Sequence, residues 1–142
     1  MGRQGGARIM EQPNANQQEL IYKLQMYEQQ IQNIHQQIQA VENARVDMDD
    51  LIKGITELKG KKDSEILAQI GKGIFVKAKI ISEELIVDVG NKNLVKKDID
   101  GTNEIIQGQL EKLEVAKVEL EKTLEQINKE MTGLVEKFRE SQ

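Results

Sequence analysis

The centre of the chain reads Gly-Ile-Phe-Val-Lys-Ala-Lys-Ile at residues 73–80 and Leu-Ile-Val-Asp-Val at residues 85–89. Both stretches are rich in β-branched side chains and alternate in polarity, which is the pattern of a β-strand. Weaker strand patterns occur at residues 65–70 and 94–97, and turn-forming residues separate the four segments. The sequence therefore predicts two β-hairpins within an insert at residues 63–98.

Two hairpins alone bury little apolar surface and leave open edges. We therefore expect the insert to complete its sheets with strands from the same chain or another one. The residues expected to carry this oligomerisation are the apolar side chains of the two hairpins: Ile74, Phe75, Val76, Ala78, Ile80, Leu85, Ile86, Val87, Val89, Leu94 and Val95.

On both sides of the insert, apolar residues recur at alternating spacings of four and three, which is a heptad repeat. We call these positions the seam. Before the insert they are Leu20, Leu24, Tyr27, Ile31, Ile34, Ile38, Val41, Arg45, Met48, Ile52 and Ile55. After it they are Ile106, Leu110, Leu113, Lys117, Leu120, Leu124, Ile127, Met131, Leu134 and Phe138.

The seam predicts helices at residues 17–60 and 99–141, with Asn16 as the first N-cap and Asp98 or Asp100 opening the second helix. Helices of equal length joined by one insert fold back on each other. The predicted fold is thus α+β: a long antiparallel two-helix coiled coil with a central two-hairpin insert.

Two seam positions are basic, Arg45 and Lys117. A buried cation needs an acidic partner, and helical spacing offers Asp49, Asp50, Glu114 and Glu121. We interpret these polar breaks as residues that fix the register of the two helices.

Composition limits the function classes. The chain has 142 residues, no cysteine, one proline and a net charge of −4. One domain at residues 17–142 is expected, and residues 1–16, which are Gly-rich and polar, are expected to be a disordered tail; Met1 and Met10 both stay open as native starts. No segment is strongly basic, so nucleic acid is not an expected ligand. The absence of a long apolar run argues against a membrane protein and favours a cytoplasmic one.

No catalytic constellation is evident. His35 is the one histidine and lies off the seam, and there is no thiol nucleophile. The pair Gly71 and Gly73 lacks the third glycine and the following helix of a nucleotide loop. We therefore expect a protein that is not an enzyme, with no catalytic residues, no cofactor and no metal.

The order helix, two hairpins, helix resembles the prefoldin family, in particular its archaeal alpha-class subunits, which have two central hairpins where the beta class has one. Two phrases carry the resemblance: Ile-Gly-Lys-Gly-Ile-Phe-Val-Lys-Ala-Lys at residues 70–79 and Val-Asp-Val-Gly-Asn-Lys-Asn-Leu-Val-Lys-Lys-Asp at residues 87–98. The resemblance covers roughly residues 17–140.

The resemblance implies a hexamer of two alpha and four beta subunits in which the insert joins a shared β-barrel. The coiled coils of such a hexamer hold unfolded client proteins at their free ends and pass them to a group II chaperonin without ATP. The alternative is a structural coiled-coil protein or a filament-forming prefoldin relative, because heptads and open hairpins explain most of the sequence without any client.

Apolar residues near the free ends of the helices are the candidates for client binding. Ile21 and Tyr22 are favoured because they lie off the seam, whereas terminal seam residues could equally be buried between the helices. The candidate set is Leu20, Ile21, Tyr22, Leu24, Met26, Ile127, Met131, Leu134, Val135 and Phe138.

Overall fold

A computed structural model describes residues 15–140 of the chain. The elements are α1 (Ala15–Thr56), β1 (Glu65–Gly71), β2 (Ile74–Lys79), β3 (Leu85–Asp88), β4 (Leu94–Lys97) and α2 (Ile99–Glu140). The predicted α+β architecture, two long helices around a two-hairpin insert, is confirmed. Most of the predicted tail lies outside the described residues, but Ala15 and Asn16 belong to α1, so Asn16 is not an N-cap.

The chain forms two compact units. The mixed unit, Glu42–Val115, holds the four strands and the adjoining parts of both helices. The described part of the helical unit consists of residues 15–41 of α1 and 116–140 of α2. Every predicted seam position is at least half-buried in its unit, including the basic ones, while most intervening positions are exposed. The heptad reading is therefore correct along both helices.

The helical unit is held together by one line of apolar contacts. Ile34 of α1 and Ile127 of α2 are its buried residues. At the free ends, Leu20 of α1 lines the same groove as Leu134 and Phe138 of α2, so the start of one helix lies beside the end of the other. The two helices are thus antiparallel in this unit.

Polar contacts show the same direction in the mixed unit. Arg45 Nη1 lies 3.0 Å from Glu114 Oε2. Asn103 Nδ2 donates to Thr56 Oγ1 at 3.1 Å. Residue numbers rise along α1 as they fall along α2, which is antiparallel pairing. Ile99 and Thr102 are buried here as well, so the buried part of α2 begins before Ile106, the first seam position found in the sequence for α2.

Arg45 occupies a half-buried seam position and forms ion pairs with two acidic side chains. Its Nη1 atom lies 3.1 Å from Glu42 Oε1 on the same helix, in addition to the Glu114 pair across the helices. Glu114 was among the predicted partners, whereas Glu42 was not. The guanidinium reaches the edge of the seam, where its charge remains partly hydrated. Such a partly exposed pair contributes about 0–1 kcal/mol, and its directional contact favours one register.

The insert forms two separate two-stranded antiparallel sheets. β1 pairs with β2, with Ile66 opposite Ala78, and a bulge interrupts the register between Gln69 and Gly71. β3 pairs with β4, with Val87 opposite Val95. The turn between β1 and β2 contains Gly73 at a φ of 76°, a backbone conformation that glycine adopts without strain.

The start of α2 is capped by Asp98. Its Oδ1 atom accepts a hydrogen bond from the backbone N–H of Gly101 at 2.6 Å, which satisfies one of the unpaired donors of the first turn. A Cβ atom on residue 101 would lie 2.7 Å from that oxygen. Gly101 therefore leaves room for the cap, whereas a Cβ on Gly108 would contact nothing within 4 Å.

The two glycines of α2 should respond differently to alanine. Gly108→Ala should raise the free energy of unfolding by about 0.5–1 kcal/mol, because alanine restricts the unfolded helix segment more than glycine does. Gly101→Ala should yield no net gain, since displacement of Asp98 removes a cap contribution of about 0.5–2 kcal/mol. Denaturant unfolding followed by circular dichroism measures both, and equal stabilisation by the two variants would contradict the role given to Gly101.

Candidate functional site

Exposed apolar side chains are concentrated in the insert. Among the described residues, eleven of the nineteen large exposed hydrophobic residues belong to the hairpins or their connections: Ile66, Leu67, Ile70, Ile74, Phe75, Val76, Ile81, Ile86, Val89, Leu94 and Val95. Single exposed apolar residues are ordinary, but a cluster of this density indicates a surface that binds another apolar surface.

The β1–β2 hairpin presents apolar groups on both of its faces. Cross-strand neighbours share a face, so Ile66 and Ala78 lie on one side and Leu67 and Lys77 on the other. Leu67 is 68% exposed and Phe75, on the same face, 54%. An isolated hairpin with one solvated face would not carry these side chains there, so both faces of this hairpin are suited to contacts with other strands.

The β3–β4 hairpin has two unlike faces. Leu85 and Val87 are half-buried and line a groove of about 790 Å³, together with Leu51 and Ile105 of the helices. On the other face Ile86 is 68% exposed, and Leu94 of β4 is similarly open. Because each sheet has two strands, the outer edges of the hairpins keep unpaired backbone donors and acceptors.

Most of the predicted oligomerisation residues are exposed: Ile74, Phe75, Val76, Ile86, Val89, Leu94 and Val95. The remaining four, Ala78, Ile80, Leu85 and Val87, are half-buried. The prediction missed Ile66, Leu67 and Ile70 of β1, and also Ile81, which is 79% exposed. The alternating pattern of residues 65–70 was the signal that could have added the β1 residues to the set.

Polar contacts connect the loops before β1 and β3 with each other and with the start of α2. Lys59 Nζ lies 2.6 Å from Asp100 Oδ1. The hydrogen bond and the negative charge of Asp100 raise the pKa of the Lys59 ammonium above its ordinary value. The Glu83 carboxylate accepts a hydrogen bond from the backbone N–H of Gly60. The connections before β1 and before β3 are thereby held close to the same helix end.

The free ends of the helices, residues 15–26 of α1 and 131–140 of α2, form a second candidate surface. Ile21, Tyr22 and Met26 are exposed, Tyr22 to 63%. The same helix ends form a groove of about 270 Å³, whose apolar lining comes from Leu20, Leu134 and Phe138. The half-buried members of the predicted client-binding set are Leu20, Leu24, Met131, Leu134, Val135 and Phe138.

Ile127 differs from the other predicted client-binding residues. It is 8% exposed and lies within the seam of the helical unit. Its side chain could contact a client only if the two helices separated. In this structure the accessible apolar surface of the free ends therefore comes chiefly from Ile21, Tyr22 and Met26, the residues that lie off the seam.

Residues 15–140 contain no group of three or more histidine or acidic side chains arranged to hold a metal ion. Within the same described part of the chain, neither helix has a stretch long and apolar enough to cross a bilayer. His35 is exposed on α1.

Long antiparallel helices joined by two apolar hairpins define the class of the protein, a coiled-coil subunit with a β-insert. A family model for the prefoldin subunit matches residues 27–142, and the chain belongs to the prefoldin family.

Three curated archaeal relatives support the same assignment. The alpha subunit of Methanococcus aeolicus is 31% identical over 87% of this chain and 90% of its own length.

The alpha 1 subunit of Methanocaldococcus jannaschii is 31% identical over 78% of this chain and 77% of its own length. The alpha subunit of Methanobrevibacter smithii is 35% identical over 68% of this chain and 66% of its own length. The fold is similar to that in a cryo-EM structure of filamentous PFD from Methanocaldococcus jannaschii. That similarity has a TM-score of 0.73 at 17% identity and covers 79% of this chain and 94% of that one.

Buried seam residues and exposed end residues should differ in their contribution to stability. Ile127→Ala should lower the free energy of unfolding by about 2–4 kcal/mol, because it leaves a cavity in the contact line. Tyr22→Ala should change it by no more than about 0.5 kcal/mol, as expected of an exposed position. Urea unfolding measures both variants; a large loss for Tyr22→Ala would mean that the tyrosine is part of the packing rather than an accessible surface.

Proposed function

We propose that the chain is a non-enzymatic, ATP-independent chaperone subunit, a holdase that binds unfolded polypeptide at the free ends of its helices. The observation that carries the proposal is the exposure of Ile21, Tyr22 and Met26 at the free end of α1, where Leu20, Leu134 and Phe138 also line a groove. Unfolded chains expose apolar side chains, and a flexible methionine with an amphipathic tyrosine suits partners of varied shape. Membership of the prefoldin family supports this function.

The proposed assembly is a cytoplasmic hexamer of two copies of this chain with four beta-class subunits, which delivers its client to a group II chaperonin. Its physical basis is the insert, whose apolar faces and open edges match strands supplied by neighbouring subunits. Several arms acting on one client would give useful affinity even when each arm binds weakly.

A second candidate is a structural, filament-forming subunit. It is favoured by the same open hairpins, because a chain whose two hairpins bind different surfaces of the next copy would polymerise. The similarity of the fold to filamentous PFD also supports it. Light scattering of the lone chain and of its mixture with a beta-class subunit separates the candidates: long polymers of the lone chain favour the filament, and a discrete complex that needs the partner favours the hexamer.

Charged substitutions in the insert should prevent assembly. Leu67→Lys and Ile86→Lys each place a charge on a surface proposed to be buried between subunits, so assembly with a beta-class partner should fall at least tenfold. The matched control is Val115→Lys, at an exposed position on α2 outside the insert. Native mass measurement gives the result, and normal assembly of both insert variants would refute the proposed role of the hairpins.

Polar substitutions at the free ends should remove client protection and leave assembly intact. The double variant Ile21→Ser, Tyr22→Ser removes exposed apolar surface without touching the seam, so suppression of the aggregation of an unfolded client should be largely lost. Val46→Ser is the control, because Val46 is also exposed on α1 but lies in the mixed unit. If the double variant protects the client as well as the unchanged protein does, the end-binding proposal is wrong.

A further inference from the structure

One line of side chains along α1 is unusual for the surface of a coiled coil. Gln25, Gln29, Gln32 and Gln36 follow one another at spacings of four, three and four residues, and all are exposed. At a rise of about 1.5 Å per residue they form a row of about 16 Å on one face of the helix. We call these four residues the amide stripe. Tyr22, three residues before Gln25, lies on the same line.

The corresponding outward line of α2 has an ordinary, charged composition. It contains Lys122, Glu125, Lys129 and Glu136, all exposed. Lys129 Nζ lies 3.3 Å from Glu125 Oε1, an ion pair between successive helical turns. Residues 119–140 contain ten charged side chains, whereas residues 20–41 contain two. Along the same line of the helix, α1 therefore presents neutral amides where α2 presents mainly charges.

The chemistry of the amide stripe matches a polypeptide backbone. Each glutamine offers one carbonyl acceptor and two N–H donors, the same groups that a peptide bond presents. An unfolded chain carries an unpaired N–H and C=O at almost every residue. Amides can bind these groups in any sequence, and removing water from an amide costs less free energy than removing it from a charged group, which would also select partners of opposite charge.

We propose that Gln25, Gln29, Gln32 and Gln36 form a second client-binding surface, which hydrogen-bonds the backbone of an extended segment of unfolded polypeptide continuing from Tyr22. The proposal rests on the proposed holdase function. A second copy of the chain is a poorer occupant, because contacts between folded helices depend on apolar side chains and the stripe has none. The backbone of a folded helix is also already hydrogen-bonded and offers no free peptide groups.

The test uses the full chain in its assembled form. One variant changes all four glutamines of the amide stripe to alanine, and the control changes Lys122, Glu125, Lys129 and Glu136 to alanine. The control removes two positive and two negative charges, so net charge is unchanged. Alanine favours helix at every position, so loss of the helix is not expected in either protein. The probe is fluorescently labelled, reduced and carboxymethylated α-lactalbumin, which cannot refold.

The glutamine variant should raise the Kd of the probe at least fivefold, and the control should change it less than twofold. Unchanged affinity in the glutamine variant would overturn the proposal, as would a changed assembly mass, because the stripe would then be a contact between subunits. Alanine is more apolar than glutamine, so a purely hydrophobic surface predicts equal or tighter binding by this variant.

A second measurement addresses the backbone directly. An uncharged ten-residue peptide and its alternately N-methylated form differ in backbone donors but not in side chains. N-methylation should weaken binding to the unchanged protein several-fold and have little effect on the glutamine variant. An equal effect on both proteins would contradict backbone recognition by the amide stripe.

The two proposals fail separately. If the unchanged protein does not bind the unfolded probe, the holdase function itself is wrong. If it binds, and if Ile21→Ser, Tyr22→Ser weakens binding while the glutamine variant binds normally, the free ends bind clients and the amide stripe does not.

Discussion

The structure depends on the incomplete sheets of the insert. Each hairpin has only two strands, so it leaves two edges of unpaired backbone groups and cannot enclose its apolar side chains. Leu67 and Phe75 on one hairpin and Ile86 and Leu94 on the other remain exposed for this reason. Contact with further strands would pair these backbone groups and remove the apolar side chains from water. A subunit of this construction is therefore suited to assembly into a larger complex.

The two helices contact each other along a narrow apolar line, the seam. Two helices that meet along one line bury only the seam, and in a chain with 3% aromatic residues this line is filled mainly by leucine and isoleucine. Ile34 and Ile127 show how completely the line can be buried. The remaining faces of both helices stay accessible. In the helical unit the accessible surfaces of the two helices differ in composition: α2 carries mainly charges, whereas α1 carries amides and a few apolar groups.

Polar contacts between the helices favour one register, because apolar contacts alone would tolerate a shift of one helix along the other. Arg45 connects Glu42 and Glu114 across the mixed unit, and Asn103 donates to Thr56 between the same two helices. A one-heptad shift would separate Arg45 from Glu114 and Asn103 from Thr56, and it would leave Arg45 paired only with Glu42 of its own helix. The contacts are individually weak, but each favours a single alignment. Asp98 and Gly101 act together in a similar local way, since the missing side chain of one makes room for the cap formed by the other.

Local patterns were enough to predict the strands, the two hairpins and the heptads, because alternation and four-three spacing follow directly from strand and helix geometry. Sequence also marked most exposed residues of the insert and the off-seam residues of the free ends. Other features required the three-dimensional structure. The pairing of Arg45 with Glu114 rather than with the other candidate acids, the burial of Ile99 and the burial of Ile127 depend on which side chains meet in the folded chain. Such meetings join residues far apart in the chain, and only tertiary packing decides them.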